Sequence, residues 1–146
     1  MTDEFLRLFT RASKLLRGVV DVDLRRHGVR LGQNLVLEAL WETDGLTPGE
    51  LAARLHVATP TMVKAATRME ASGLLTRRRD ETDRRLVRVY LTDQARSIRG
   101  DVEGQRHTLE RRIDTLLTDD ERRCLRSALT KIIDEFDGEA PPEDPE

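Results

Sequence analysis

From Ala58 to Thr92 the chain reads ATPTMVKAATRMEASGLLTRRRDETDRRLVRVYLT, and this stretch holds most of the side chains able to do chemistry. The chemistry is recognition of polyanions. Arg84 and Arg85 follow directly on Asp83, between two runs of alternating character. An arginine held out on a stiff ribbon suits the narrow, electronegative minor groove of duplex DNA. A neighbouring carboxylate such as Asp83 can orient the guanidinium through charge-assisted hydrogen bonds. Upstream, Thr59, Thr61, Lys64 and Arg68 offer hydroxyl, ammonium and guanidinium donors at helical spacing. Threonine can touch a thymine methyl or bond a base edge, while lysine and arginine reach guanine or phosphate. Arg78, together with Arg84, is expected to bind phosphates.

Those side chains need a helix and a hairpin to hold them. Thr59 is the expected N-cap, with Pro60 at the first helical position, where its missing N–H is harmless. Gly73 after Ser72 is the expected stop. Val63, Ala66 and Met69 are expected to face inward, leaving Thr61, Lys64, Ala65 and Arg68 outward. Beyond the helix, Leu74 to Arg79 forms one strand. Val87, Val89 and Leu91 alternate with Arg88 and Tyr90 in the other, with residues 80–85 at the charged tip. Before the helix, Thr47-Pro48-Gly49-Glu50 reads as a capping box opening a short helix to Leu55. His56-Val57-Ala58 then makes the turn of a helix-turn-helix. A helix-turn-helix followed by a basic ribbon is a winged helix. The predicted class is mainly α with a small β-wing.

The run from Asp83 to Thr92 resembles the MarR family of bacterial transcription regulators. The family signature D-x-R-x-x-x-V-x-L-T is filled by Asp83, Arg85, Val89, Leu91 and Thr92. Leu51 to Leu55 and Met69 to Leu75 are similar to the family's helix-turn-helix and the start of its first wing strand, and the likeness extends to length and element order. The resemblance implies a homodimer that binds double-stranded DNA at a palindromic operator, most often as a repressor. It also implies release by a small effector, commonly an anionic aromatic compound bound between the dimer layer and the DNA lobe. Arg17, His27, Arg30 and Trp41 could supply that cleft, although core packing suits Trp41 and salt bridges suit the arginines.

Charge distribution agrees with a DNA-facing lobe. The chain of 146 residues has a net charge of −2, but residues 47–92 carry nine Lys/Arg against five Asp/Glu. A basic centre in an acidic remainder is the electrostatic footprint of nucleic-acid binding. No run approaches a membrane span and no secretory pattern opens the chain, so a cytoplasmic protein is expected. Cys124 stands alone, which excludes an internal disulfide or a paired-cysteine metal site. No phosphate-cradling glycine loop, H-E-x-x-H or nucleophile elbow is present. The chain is therefore expected to be no enzyme, with no cofactor and no metal.

Outside the centre, helical periodicity marks the two ends. Phe5, Leu8, Phe9, Ala12, Leu15, Leu16, Val19 and Val20 form a broad apolar stripe before Gly28. A second helix spans Leu31 to Thr43. After Thr92 a long helix is expected to Leu117, bent near Gly100 and Gly104, and Thr118 opens a last helix through a second capping box. The expected domains are residues 1–30 for an N-terminal dimerisation helix and 31–92 for the winged helix-turn-helix. Residues 93–137 would form connecting and C-terminal dimerisation helices, and 138–146 an acidic flexible tail. Phe5, Leu8, Phe9, Ile113, Leu125, Leu129 and Ile132 are the expected dimer layer, with packing inside one subunit as the alternative. Cys124 is expected to be buried and structural; the alternative is a thiol switch between subunits. Two other readings stay open: a winged-helix protein-interaction module without DNA binding, and a metal- or thiol-responsive regulator.

Overall fold

The computed structural model describes residues 4–139. Most of the expected acidic tail, residues 140–146, lies outside the described residues. Among the described residues, seven helices and two strands follow in the order α1 (Glu4–Arg25), α2 (Gln33–Glu42), α3 (Pro48–Leu55), α4 (Thr59–Ala71), β1 (Leu75–Arg79), β2 (Val87–Leu91), α5 (Asp93–Ser97), α6 (Arg99–Leu116) and α7 (Asp119–Phe136). The chain divides into two units, residues 1–104 and 105–146.

The first unit holds the core. Leu37, Leu40, Leu51, Met69, Leu74, Leu75, Val29 and Val89 are its largest fully buried side chains. They come from α2, α3, α4, both strands and the loop after α1, so burial of one apolar cluster fixes the helix-turn-helix and the hairpin together. Trp41 belongs to this cluster, and its indole Nε1–H donates to the Ala95 carbonyl at 3.1 Å.

Local signals set the element ends. The Thr47 hydroxyl accepts the Glu50 N–H at 3.1 Å, and Glu50 Oε2 accepts the Thr47 N–H at 3.1 Å, the reciprocal capping box. Thr118 and Glu121 repeat this at the start of α7. Helix α3 ends at His56 in the left-handed region, φ 55°, and the chain turns through Val57 into α4. At the far end of α4, Gly73 N–H bonds Glu70 O at 3.1 Å and Leu74 N–H bonds Met69 O at 2.9 Å. This paired closure uses Gly73 at φ +82°.

Three expectations need correction. Thr59 is not the N-cap of α4; Ala58 is, extended at φ −69°, ψ 144° and without a side-chain cap. The carbonyl of Ala58 accepts the Met62 N–H at 3.1 Å, so the helix begins one residue earlier than capping chemistry suggests. The buried face of α4 is Met62, Ala66 and Met69, whereas Val63 is exposed. Positions 62, 66 and 69 fall within about 60° of arc at 100° per residue, and Val63 lies on the flank. The helix after Thr92 is interrupted at Ile98 rather than at its glycines; α6 runs unbroken through Gly100 and Gly104.

The wing is an antiparallel pair in the register Leu75↔Leu91, Thr76↔Tyr90, Arg77↔Val89, Arg78↔Arg88 and Arg79↔Val87. An isolated bridge joins it to the loop before α3, where Val89 N–H donates to Leu46 O at 2.8 Å. Leu91 N–H donates to Asp44 Oδ1 at 3.0 Å in the same loop. Gly45, between them, has φ +77°, and a Cβ there would meet Tyr90 Cε1 at 2.8 Å. Gly45→Ala is thus expected to lose at least about 1 kcal/mol, from the disfavoured φ and the overlap with the ring. Urea unfolding checks it; a variant as stable as the parent would refute the close approach.

Candidate nucleic-acid interface

Two surfaces of the first unit carry the side chains singled out above for contact with DNA. The first is α4. With Met62, Ala66 and Met69 buried, the helix leaves Thr59, Thr61, Lys64 and Arg68 exposed. The face is shallow, since small residues separate the basic ones, so its backbone can approach a groove wall closely. Arg77 on β1 donates from Nε to Glu70 Oε2 at 2.6 Å and from Nη2 to Thr67 Oγ1 at 3.3 Å. It pins the wing to α4. Sequence reasoning missed this role, because Arg77 lies in a run of three arginines with nothing local to distinguish it.

The second surface is the wing tip. Asp83 Oδ1 accepts from the Arg85 backbone N–H and from its Nε, each at 3.1 Å, and Oδ2 accepts from Nη2 at 3.2 Å. The guanidinium is thus gripped along one edge while its side chain stays 90% exposed. That is a fork presented outward with little rotamer freedom left to lose. The grip holds the Asp83 carboxyl below its ordinary value, chiefly through the Arg85 side chain. Arg79 Nη1 donates to the Arg84 carbonyl at 2.8 Å, fixing the backbone beneath the exposed Arg84. Arg78 lies over the Tyr90 ring, 3.9 Å from its centroid, a cation–π stack on the flank of the hairpin.

The turn itself is built on Asp80. Its Oδ1 accepts the N–H of Thr82 at 2.7 Å and of Asp83 at 3.0 Å, and its Oδ2 accepts Arg88 Nε at 2.5 Å. Arg88 holds the Asp80 carboxyl well below the usual carboxylate range, with the two backbone donors adding to the effect. Asp80 was not among the residues singled out from sequence, where it reads as one more charge at the tip.

The remaining sequence candidates do not converge on one cleft. Arg17 and Arg30 line a shallow depression with Gly18, Asp21 and Leu31. Trp41 is committed to the core, and His27, half-buried, is not part of that lining. On α1, Phe5, Leu8 and Phe9 are all exposed, with the two rings 6.1 Å apart. In the second unit Leu125 is exposed, while Ile113, Leu129 and Ile132 are half-buried. Ile113, Leu125 and Leu129 line a groove between α6 and α7. Cys124 is exposed, not buried as expected, because α7 has no buried residue at all. No trio of His, Cys, Asp or Glu able to hold a metal occurs among the described residues.

The Asp80 geometry makes a pH prediction. A carboxyl depressed in the folded state adds stability above its unfolded value, and loses it as pH falls through the folded one. Wing order should therefore persist at about pH 3, roughly a unit below an ordinary aspartate. The Asp80 carboxyl carbon should still show the ionised NMR shift there. A midpoint at the ordinary value would mean that the Arg88 contact does not form.

Comparison with known proteins places this geometry. Residues 30–87 match the model of the MarR family. The chain is 38% identical over 117 residues to the HTH-type transcriptional regulator TtmR of Methylorubrum extorquens, covering 80% of this chain and 59% of TtmR. It is 29% identical over 113 residues to the regulator MgrA of Staphylococcus aureus, 77% of this chain and 76% of MgrA. In fold it is similar to MepR of S. aureus, solved as a DNA complex, with a TM-score of 0.80 at 22% identity over 93% of this chain and 98% of MepR. The matched segment spans the helix-turn-helix and most of the wing, the signature closes the second strand, and relatives align beyond both, so the chain matches the MarR family across its helix-turn-helix and wing.

Proposed function

We propose that the protein is a sequence-specific DNA-binding transcription regulator, acting as a homodimer on a palindromic operator in the cytoplasm. One observation carries the reading. A single unit presents two donor sets at once, the outer face of α4 and the Arg85 fork, with Arg77 tying one to the other. In this reading Thr61, Lys64 and Arg68 read or anchor in the major groove, with Thr59 at the start of the helix. Arg85, steadied by Asp83, enters the minor groove, and Arg84 and Arg78 bind phosphates. That MepR was solved with DNA supports the reading for a chain of similar fold.

Uncovered apolar surface supports a dimer. Phe5, Leu6, Leu8, Phe9, Leu15, Leu16, Val19 and Val22 are all exposed on α1. A patch of this kind marks an interaction surface. Pairing with a second copy would place two α4 helices roughly 34 Å apart, one turn of DNA, on a symmetric site. Phe5, Leu8 and Phe9, with Ile113, Leu125, Leu129 and Ile132, are the residues assigned to that layer. Residues 1–30 and 93–137 then serve dimerisation and 31–92 serve DNA. Repression, with release by a small anionic or aromatic molecule, is the most economical mode. Such a molecule must bind the DNA-incompetent spacing of the two lobes better than the competent one. Arg17 and Arg30 supply the cationic groups nearest a candidate cleft.

A titration with DNA from upstream of the protein's own gene, at two salt concentrations and beside a scrambled duplex, tests the core of this. Preference of at least ~10³-fold over the scramble is expected for a specific site. Arg85→Ala should lose affinity with helix content and dimer intact. Lys64→Ala and Arg84→Ala should each lower the salt slope by about one phosphate. Operator binding by Arg85→Ala equal to the parent's would sink the wing assignment, and unchanged slopes would sink the phosphate contacts.

A further inference from the structure

Arg88 lies three residues past the wing tip, and the reading above gives it no contact with DNA. It is nevertheless the most connected arginine of the wing. Its Nε donates to Asp80 Oδ2 at 2.5 Å and its Nη1 donates to Gly45 O at 2.9 Å. The same Nη1 lies 3.8 Å from Glu50 Oε2, the oxygen that closes the capping box of α3. Its side chain is 29% exposed, against 90% for Arg85. One planar guanidinium therefore joins three segments of the chain: the turn that forms the wing tip through Asp80, the loop before α3 through the Gly45 carbonyl, and the first turn of α3 through Glu50.

The need for such a strut is physical. A two-stranded hairpin is marginal by itself in water. This one is tied to the core near its base, at Leu46↔Val89 and at Leu91 to Asp44. Further out it has its own ladder and two side-chain struts on opposite faces. Arg77, facing with Val89, reaches α4; Arg88, facing with Tyr90 and Arg78, reaches Gly45. Gly45 in turn is held against the Tyr90 ring. The Arg88 strut ends on Asp80, and Asp80 Oδ1 holds the backbone of Thr82 and Asp83. Asp83 is the residue that grips Arg85.

We infer that Arg88 is a positioning residue for the minor-groove contact: through Asp80 and Gly45 it fixes the pose of the Arg85 fork relative to the helix-turn-helix. The inference rests on the DNA-binding reading. An arginine is required, because only a fork can meet the Asp80 carboxylate and the Gly45 carbonyl from different nitrogens at once; a lysine offers one point.

The test is a double-mutant cycle on the full-length protein, using the operator duplex at two salt concentrations. Arg85 and Arg88 share no direct contact, so independent roles would give additive losses within about 2-fold. Positioning predicts that Arg85→Ala costs at least ~3-fold less in the Arg88→Met background than in the parent, because a displaced fork has less affinity left to lose. Arg88→Lys should behave like Arg88→Met. Amide exchange at Thr82 and Asp83 in the free protein should quicken in both. Should Arg88→Met fail to fold, Asp80→Asn cuts the same strut from its other end. Additive losses together with a salt slope lowered by one would make Arg88 a phosphate contact and overturn the inference alone. An Arg85→Ala variant that binds like the parent would overturn the wing reading and this inference with it.

Discussion

The bridge between Leu46 and Val89 is the constraint on which the rest of the first unit depends. A lone hairpin rich in arginine has no reason to stay ordered, since its strands bury little and repel one another. Joining Val89 to the loop before α3 ties the two-stranded hairpin to the apolar core through one further bridge. Val89 is itself fully buried, so the hydrogen bond to Leu46 is kept out of water, where leaving it unmade would be costly. Gly45 must then pass under the Tyr90 ring, and Asp44 must take the Leu91 N–H. The turn before α3 is shaped by the wing as much as by the helix it precedes.

Acids within the basic lobe serve geometry rather than neutralisation. Asp80 spends its oxygens on two backbone donors and Arg88, and Asp83 spends its own on Arg85. Glu70 is engaged by Arg77. The Arg85–Asp83 and Arg77–Glu70 pairs are open to solvent, so little net stability is to be expected from them as ion pairs. Their effect is orientation: long cationic side chains are held in one pose before any partner arrives. The residual positive field comes from the groups left outward on α4 and at the tip, which is why an overall charge of −2 is compatible with attraction to an anion.

Legibility in the sequence followed the range of the interactions. Both capping boxes could be read, because Thr47–Glu50 and Thr118–Glu121 are closed within one turn. So could the strand pairing, since alternation from Val87 to Leu91 marks its own buried face. The grip of Asp83 on Arg85 was legible for the same reason, being two residues long. The errors on α4 came from tertiary choice: whether Met62 or Val63 turns inward depends on where α2 and the strands lie. Arg77 and Arg88 were invisible as struts because their partners lie seven and 43 residues away, and a row of arginines looks alike until folded. The interruption at Ile98 was misplaced onto glycines, although Trp41 bonds Ala95 and Arg99 reaches the Trp41 carbonyl on either side of it. A glycine lowers helix propensity, but here the break falls between two contacts to one buried tryptophan, one to its indole and one to its carbonyl.

These ties limit how such a regulator can be switched. The wing and α4 are joined by Arg77 on one face, and the wing and α3 by Arg88 on the other, over a shared apolar core. Moving the wing against α4 would break several of these contacts at once, so an effector of modest differential affinity is poorly placed to do it. In a dimer the softer coordinate is the separation of two such lobes, which leaves every contact inside a lobe intact. A change of spacing by a fraction of a DNA turn would take both recognition helices out of register with a palindrome. For the proposed homodimer, residues that alter DNA affinity should fall into two classes. Those inside the lobe should change how each half-site is read, and those on the apolar helices should change only how two half-sites are read together.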